Sequence, residues 1–159
     1  MTMDELPGYL RMLAVRAGEA TIPAADGMGW DFTVEVKRRL TRIWHERGTI
    51  TPAAPGEPPA AETGLLAGSI TMIPAAMPVV STSSVSPHAS PRDWVQEWGL
   101  DDIRPVRAKY MRFQYGGPRK AKVVNVPERS YMRSTVDLMV HDGSLSDAAA
   151  RAFYAAMWG

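Results

Sequence analysis

The sequence predicts an α+β fold: a long N-terminal helix packed on an antiparallel β-sheet with a β-hairpin, a proline-rich extended arm, and C-terminal helices. Three observations carry this. Phe32, Val36, Leu40, Ile43 and Trp44 recur at helical spacing. Residues 109–114 and 120–126 alternate with period two on either side of Gly116-Gly117-Pro118. Two further helical patterns, 130–140 and 145–157, close the chain.

Taken in order, residues 4–15 predict a short helix with Tyr9, Leu10, Leu13 and Ala17 on one side, its start weakened by Pro7 and Gly8. The segment 22–29, IPAADGMG, reads as a breaker cluster, after which Asp31 stands as the N-cap of the long helix. On that helix Lys37, Arg38, Thr41, Arg42 and His45 occupy the side away from the apolar positions, and Gly48 supplies the stop. Residues 49–61, TITPAAPGEPPAA, hold prolines at 52, 55, 58 and 59, which deny helix and central-strand geometry alike. They read as an extended arm or linker. A helical turn at 63–69 then leads into a strand at 70–73, a kink at Pro74, and a second strand through Val79, Val80 and Val85. After a loop at 87–91, residues 93–98 form a short helix closed by Gly99, where Trp94 and Trp98 are expected to bury against one surface. Strand signals resume beyond it, and 109–114 with 120–126 form the hairpin.

At 159 residues the chain fits a single domain, 1–159, with the arm at 49–61 and a C-terminal helical extension at 144–159. Its 45% hydrophobic and 22% charged residues place it among globular proteins and away from disordered ones. No run approaches the roughly 20 apolar residues that cross a bilayer, and the N-terminal MTMDELPGYL has acids where a secretory signal needs bases. A cytosolic site of synthesis and no membrane partner are the expectation. With no cysteine, disulfides, thiolate metal sites and a cysteine nucleophile are excluded.

The net charge of +1 conceals a segregation along the chain. From 61 to 103 five acids face the single base Arg92. From 104 to 133 Glu128 faces nine bases: Arg104, Arg107, Lys109, Arg112, Arg119, Lys120, Lys122, Arg129 and Arg133. On a hairpin such bases keep an outer face wet and discourage edge pairing; the alternative is contact with an acidic partner or with phosphate.

The residue types that carry catalysis do not assemble into a site. His45 and Glu46 are neighbours on a helix and point in different directions. His88 lies in a Ser/Pro-rich loop, and His141 ends a helix, where a cation complements the dipole without chemistry. HExxH, EF-hand, GxxxxGK[ST] and GxGxxG patterns are missing, and Ser81 to Ser84 have no GxSxG context. The expectation is a protein that is not an enzyme and takes no cofactor and no metal.

Four segments in fixed order resemble the neck, or tail-completion, proteins of long-tailed bacteriophages, a family that includes head-tail joining components. The first is Pro55-Gly56-Glu57-Pro58-Pro59-Ala60 running into Thr63-Gly64-Leu65-Leu66-Ala67-Gly68-Ser69-Ile70, similar to a proline-rich arm before a TGxLxxSI strand entry. The second, Trp94-Val95-Gln96-Glu97-Trp98-Gly99, is similar to a turn ending in glutamate, an aromatic and glycine. The third, Ile103-Arg104-Pro105 with Ala108-Lys109-Tyr110-Met111-Arg112-Phe113, resembles an RP-x-x-AKxLRF strand. The fourth, Val126-Pro127-Glu128-Arg129-Ser130-Tyr131-Met132-Arg133, resembles an entry into the last helix of the form VPxRPFLRPA. Leu66 stands where arginine is common, Arg92-Asp93-Trp94 replaces Tyr-Ala, and Ser130 and Ser134 replace prolines.

The resemblance implies a structural virion protein, assembled in the host cytoplasm, that forms a sixfold homo-oligomeric ring between the portal-connector complex and the tail tube. Its implied partners are copies of itself, a head-completion or stopper protein, the tail terminator and the tail tube, with non-specific contact to genomic DNA in the channel as another use of the basic residues. The candidate interface residues are Pro55, Pro58, Pro59, Trp94, Glu97, Trp98, Arg104, Arg112, Arg119, Lys120, Lys122, Arg129 and Arg133. The pre-extended arm and the segregated charge suit head-to-tail contacts between identical subunits. Two alternatives are the tail terminator itself and a DNA-binding accessory protein that stacks bases on Tyr110, Phe113 and Tyr115.

Overall fold

The long N-terminal helix is longer, and begins earlier, than its periodicity predicts. In a computed structural model that describes residues 5–44, 57–59, 61, 63–76, 84–87, 91–109, 111–113 and 119–159, with the backbone alone at 84–87, 91–94, 111–113 and 119–120, α1 runs unbroken over Leu6–Leu40. The elements that follow are α2 (Leu65–Ser69), β1 (Ile70–Ile73), β2 (Ser84–Pro87), α3 (Pro91–Trp98), β3 (Leu100–Ile103), β4 (Met111–Phe113), β5 (Arg119–Ala121), β6 (Val124–Val126), α4 (Met132–His141) and α5 (Ser144–Trp158). The fold is α+β, with three two-stranded sheets, β1-β2, β3-β6 and β4-β5.

The expected break at 22–29 does not occur, because the glycine there answers a packing demand and not a turn. A Cβ on Gly27 would lie 2.8 Å from Ala152 Cβ and 3.1 Å from the Ala148 carbonyl oxygen, so Gly27 is where α5 crosses α1 at close range. Pro23, inside the helix, withholds an N–H from the turn before it. Hydroxyls serve nearby carbonyls: Thr21 Oγ1 donates to Gly18 O at 2.7 Å and Thr33 Oγ1 to Gly29 O at 2.7 Å. Asp31 is no N-cap; its carboxylate accepts from Arg151 Nη2 of α5 at 2.7 Å. The helix also stops short of Gly48. Arg42 N reaches back three residues to Arg39 O at 3.4 Å, Lys37, Arg38 and Arg39 sit at the negative end of the dipole, and Trp44 leaves the helix to bridge Ala61 in parallel. Ile43 and Trp44 are therefore exposed instead of apolar-face residues.

The chain forms two compact units. One comprises 1–34, 71–86 and 137–159, and the other 35–70 and 87–136. The first unit buries Ala20, Ala25, Phe32, Met139, Ala148 and Met157. Since Ala148 and Met157 belong to α5, residues 144–159 are part of this core and not an appendage to it. In the same unit Ala75 N donates to Asp26 Oδ1 at 2.7 Å, tying the segment after β1 to α1.

The second unit has Val36, Leu40, Ala61, Ala67, Ile70 and Tyr131 at its centre, with Thr135 fully buried among them. The Thr135 hydroxyl accepts from Arg39 Nη1 at 2.9 Å and donates to Tyr131 O at 2.6 Å, so this buried polar atom is satisfied. The hairpin forms with Met111 opposite Ala121, Arg112 opposite Lys120 and Phe113 opposite Arg119. Its second strand is shorter than the alternation at 120–126 predicts. Lys122 and Val123 interrupt it, and Val124–Val126 turns away as β6 to pair antiparallel with β3. Of the arm, Pro58 and Pro59 are half-buried, Ala61 N donates to Ile43 O at 2.8 Å, and residues 49–56 and 60 lie outside the described residues.

Candidate functional site

α3 is eight residues long and ends because Gly99 takes a left-handed φ of 69°, with its N–H bonded to Val95 O at 2.9 Å. No side chain fits at that glycine: a Cβ would lie 2.8 Å from Glu128 N and 2.9 Å from Val126 O. The close approach exists because β6 returns antiparallel to β3 and delivers 127–133 alongside the end of α3, where Arg129 N donates to Gln96 O at 2.8 Å.

Glu97 is the residue that uses this proximity. Only 6% exposed, its carboxylate accepts from Ser130 Oγ (2.9 Å) and Arg133 N (2.9 Å) on Oε1, and from Tyr131 N (2.7 Å) and Met132 N (3.0 Å) on Oε2. α4 begins at Met132, so Glu97 caps that helix from 35 residues away and places its carboxylate at the positive end of the helix dipole. A buried carboxylate needs this many donors: left without them it would cost several kcal/mol. Ser134 Oγ, which donates to Ser130 O at 2.6 Å, completes the first turn.

Arg133 closes the cluster on the solvent side. Its guanidinium lies 3.6 Å from Glu97 Oε1, donates to Glu128 Oε1, and stacks 4.0 Å from the centroid of the Trp98 ring. Trp98 is thus 53% exposed and not core, because the inward face of α3 is taken by Glu97.

Of the thirteen candidate interface residues, the structure brings Glu97, Trp98, Arg129 and Arg133 into this one cluster. Glu97 is turned inward, and Arg129 is half-buried with its Nε enclosed and without a hydrogen-bond partner, as is Gln96 Oε1. Arg104 is exposed and paired with Asp102 at 2.9 Å; Lys122 is exposed. Trp94 lies on α3, Arg112 on β4, and Arg119 and Lys120 on β5, with side chains outside the described residues, as is Pro55 altogether. The sequence reading missed Ser130 as a partner of Glu97, and nothing local signals a bond across 33 residues. It also missed Asp102, which takes a left-handed φ of 56° and donates its N–H to Asn125 Oδ1 at 2.9 Å.

Among the described residues no group of three or more His, Cys, Asp and Glu side chains is placed to hold a metal ion, and no helix is long and apolar enough to cross a membrane. The second unit has a cavity of about 80 Å³ beside Leu40, Pro59 and Leu66, below the few hundred Å³ that a small-molecule site occupies. An open apolar groove of about 330 Å³ lies in the first unit between Trp30, Met72 and Pro74. No family model, no curated protein and no solved structure matches this chain.

Proposed function

We propose that this chain is a structural subunit of the bacteriophage neck, a tail-completion or head-tail joining protein that forms a homo-oligomeric ring between the portal-connector complex and the tail tube and performs no reaction. The observation that carries the reading is the junction at Glu97. The second and fourth segments of the resemblance, far apart in sequence, are held together there. Each position of the glutamate-aromatic-glycine ending has a separate task in that junction: Glu97 caps α4, Trp98 takes the Arg133 guanidinium, and Gly99 admits the passing strand. A motif whose parts answer one geometric need supports descent from a scaffold built around that need. A scaffold of this kind positions surfaces, and its function is the register in which it holds neighbours.

The test is assembly of virus particles with and without this chain. Without it, DNA-filled heads and finished tails should accumulate unjoined in electron micrographs, and supplying the chain should join them with new density at the neck. Normal joining in its absence, or absence of the chain from purified virions, would remove the proposal.

A further inference from the structure

Charge divides between the two compact units. The unit formed by 35–70 and 87–136 holds fifteen Lys and Arg against nine Asp and Glu, a formal charge of +6, and the other holds three against eight, a charge of −5. The near-neutral total therefore hides a basic body and an acidic one. Within the basic unit several acids are already committed: Glu97 is buried at the start of α4, Glu128 accepts from Arg133, Asp102 from Arg104, and Glu35 from Arg38. Between 103 and 127 the chain has seven bases and no acid at all.

The β4-β5 hairpin lies in the middle of that stretch, and its register sets cation against cation. Arg112 stands directly opposite Lys120, so the two share one face of the ribbon with Cα atoms roughly 5 Å apart. Lys122, which is exposed, follows Lys120 by at most about 7 Å of chain. Like charges placed directly opposite each other destabilise a sheet, and a two-stranded one has little stability to spare. Bases that only kept the hairpin wet and blunted its edges would be served by a cation opposite a neutral residue, as Arg119 stands opposite Phe113. The pairing of Arg112 with Lys120 calls for negative charge from outside the chain. The loop that feeds β4 extends the same surface: Val106 is 98% exposed, and Arg107, Ala108 and Lys109 are exposed as well.

We infer that this loop and hairpin are a contact surface for the phosphate backbone of double-stranded DNA, held without regard to sequence. Interfaces between proteins are depleted of lysine and centre on buried aromatic or apolar anchors. Lysine and arginine on phosphate need neither an anchor nor a pocket. The cations lie both across and along a two-stranded ribbon, an element that the major groove of a duplex admits. A duplex also carries one negative charge per about 1.7 Å of its axis, twice the density of a single strand. The contact is a property of one subunit and needs no ring.

The full-length protein is titrated into a short fluorescent DNA duplex of mixed sequence, and anisotropy is followed at a series of salt concentrations. With Arg107, Arg112, Arg119, Lys120 and Lys122 each neutralising one phosphate, the logarithm of affinity should fall against the logarithm of salt with a slope of about −4.5. Lys120→Gln with Lys122→Gln should reduce the slope to about −2.7 and weaken binding at least tenfold, while relief of the like-charge pair leaves the melting temperature unchanged or higher. Arg107→Gln, on the exposed loop, should lower the slope by about 0.9 whatever the state of the hairpin. Arg11→Gln with Arg16→Gln removes the same charge from the acidic unit and should change neither affinity nor slope. No binding at low salt, equal weakening by the two double variants, or a single strand of the same length bound as tightly as the duplex would each overturn the inference. So would a salt-sensitive oligomer, lost on Lys120→Gln with Lys122→Gln, in protein that binds no DNA: the basic surface would then meet the acidic unit of a second copy.

Discussion

Replacing Glu97 by glutamine keeps the volume of the side chain but converts one acceptor oxygen into a donor. With the amide nitrogen at the Oε2 position, Tyr131 N–H and Met132 N–H both lose their acceptor; at the Oε1 position Ser130 can turn its hydroxyl to accept, but Arg133 N–H is left unpaired. Either way a buried donor is stranded, so Glu97→Gln should destabilise the fold by about 1–3 kcal/mol, and Glu97→Ala by roughly 3–5 kcal/mol because it leaves the cap and its buried partners with nothing. Urea unfolding followed by tryptophan fluorescence measures both. A milder residue-scale effect belongs to Asp142, which accepts from Ser144 N at 2.9 Å ahead of α5. That bond, then the Ser144 hydroxyl, holds its carboxyl below the ordinary value of 3.8. A depressed value means that the bond contributes fully above the unfolded value and is lost as pH falls through the folded one. The carboxyl carbon of Asp142 should accordingly titrate with an NMR midpoint below 3.8, and Asp142→Asn, which retains an acceptor oxygen without a charge, should hold the start of α5 independently of pH.

Glycines separate what the sequence revealed about elements from what it concealed. The C-terminal helices, the turn at 65–69 and the stop at Gly99 were legible because their signals are local: apolar spacing, and a glycine at a left-handed position. The segment 22–29 was not, since Gly27 looks the same in sequence whether it breaks a helix or admits a neighbouring one, and only the approach of Ala148 and Ala152 distinguishes the two. The hairpin was legible in its first strand and blurred in its second, because alternation through 120–126 is indifferent to which partner each half pairs with. This contrast is testable with one substitution at two sites. Alanine gains about 1 kcal/mol over glycine inside a helix. At Gly8, where nothing lies within 4 Å, the gain should appear as added helix signal and a higher melting temperature. At Gly27 the new methyl group meets Ala152 and the Ala148 carbonyl, and overpacking of about 1–3 kcal/mol should reverse the sign.

Across the whole molecule, neither compact unit is a continuous stretch of chain. Residues 35–70 and 87–136 form one, and the other is collected from both ends of the sequence and from 71–86. The charge segregation and the four family-like segments fall mainly in the first of these, yet no local signal announced either the Glu97 cap or the α1–α5 crossing. The crossing has a consequence for deletion. Removing 144–159 takes away Ala148, Ala152 and Met157, uncovers the Gly27 face of α1, and frees Asp31 from Arg151. The hydrogen bonds to the Glu97 carboxylate and those of the Thr135 hydroxyl are made among residues of 35–70 and 87–136. An isolated helix with Gly8, Gly18, Pro23, Gly27 and Gly29 in it has little stability of its own. Hydrogen exchange on the shortened chain should therefore show amides from about 20 to 33 losing protection by at least a hundredfold, about 2.7 kcal/mol, while the amides of Tyr131, Met132 and Arg133 that donate to Glu97 keep theirs. Uniform loss across both sets would mean that the cap at Glu97 depends on α5 as well.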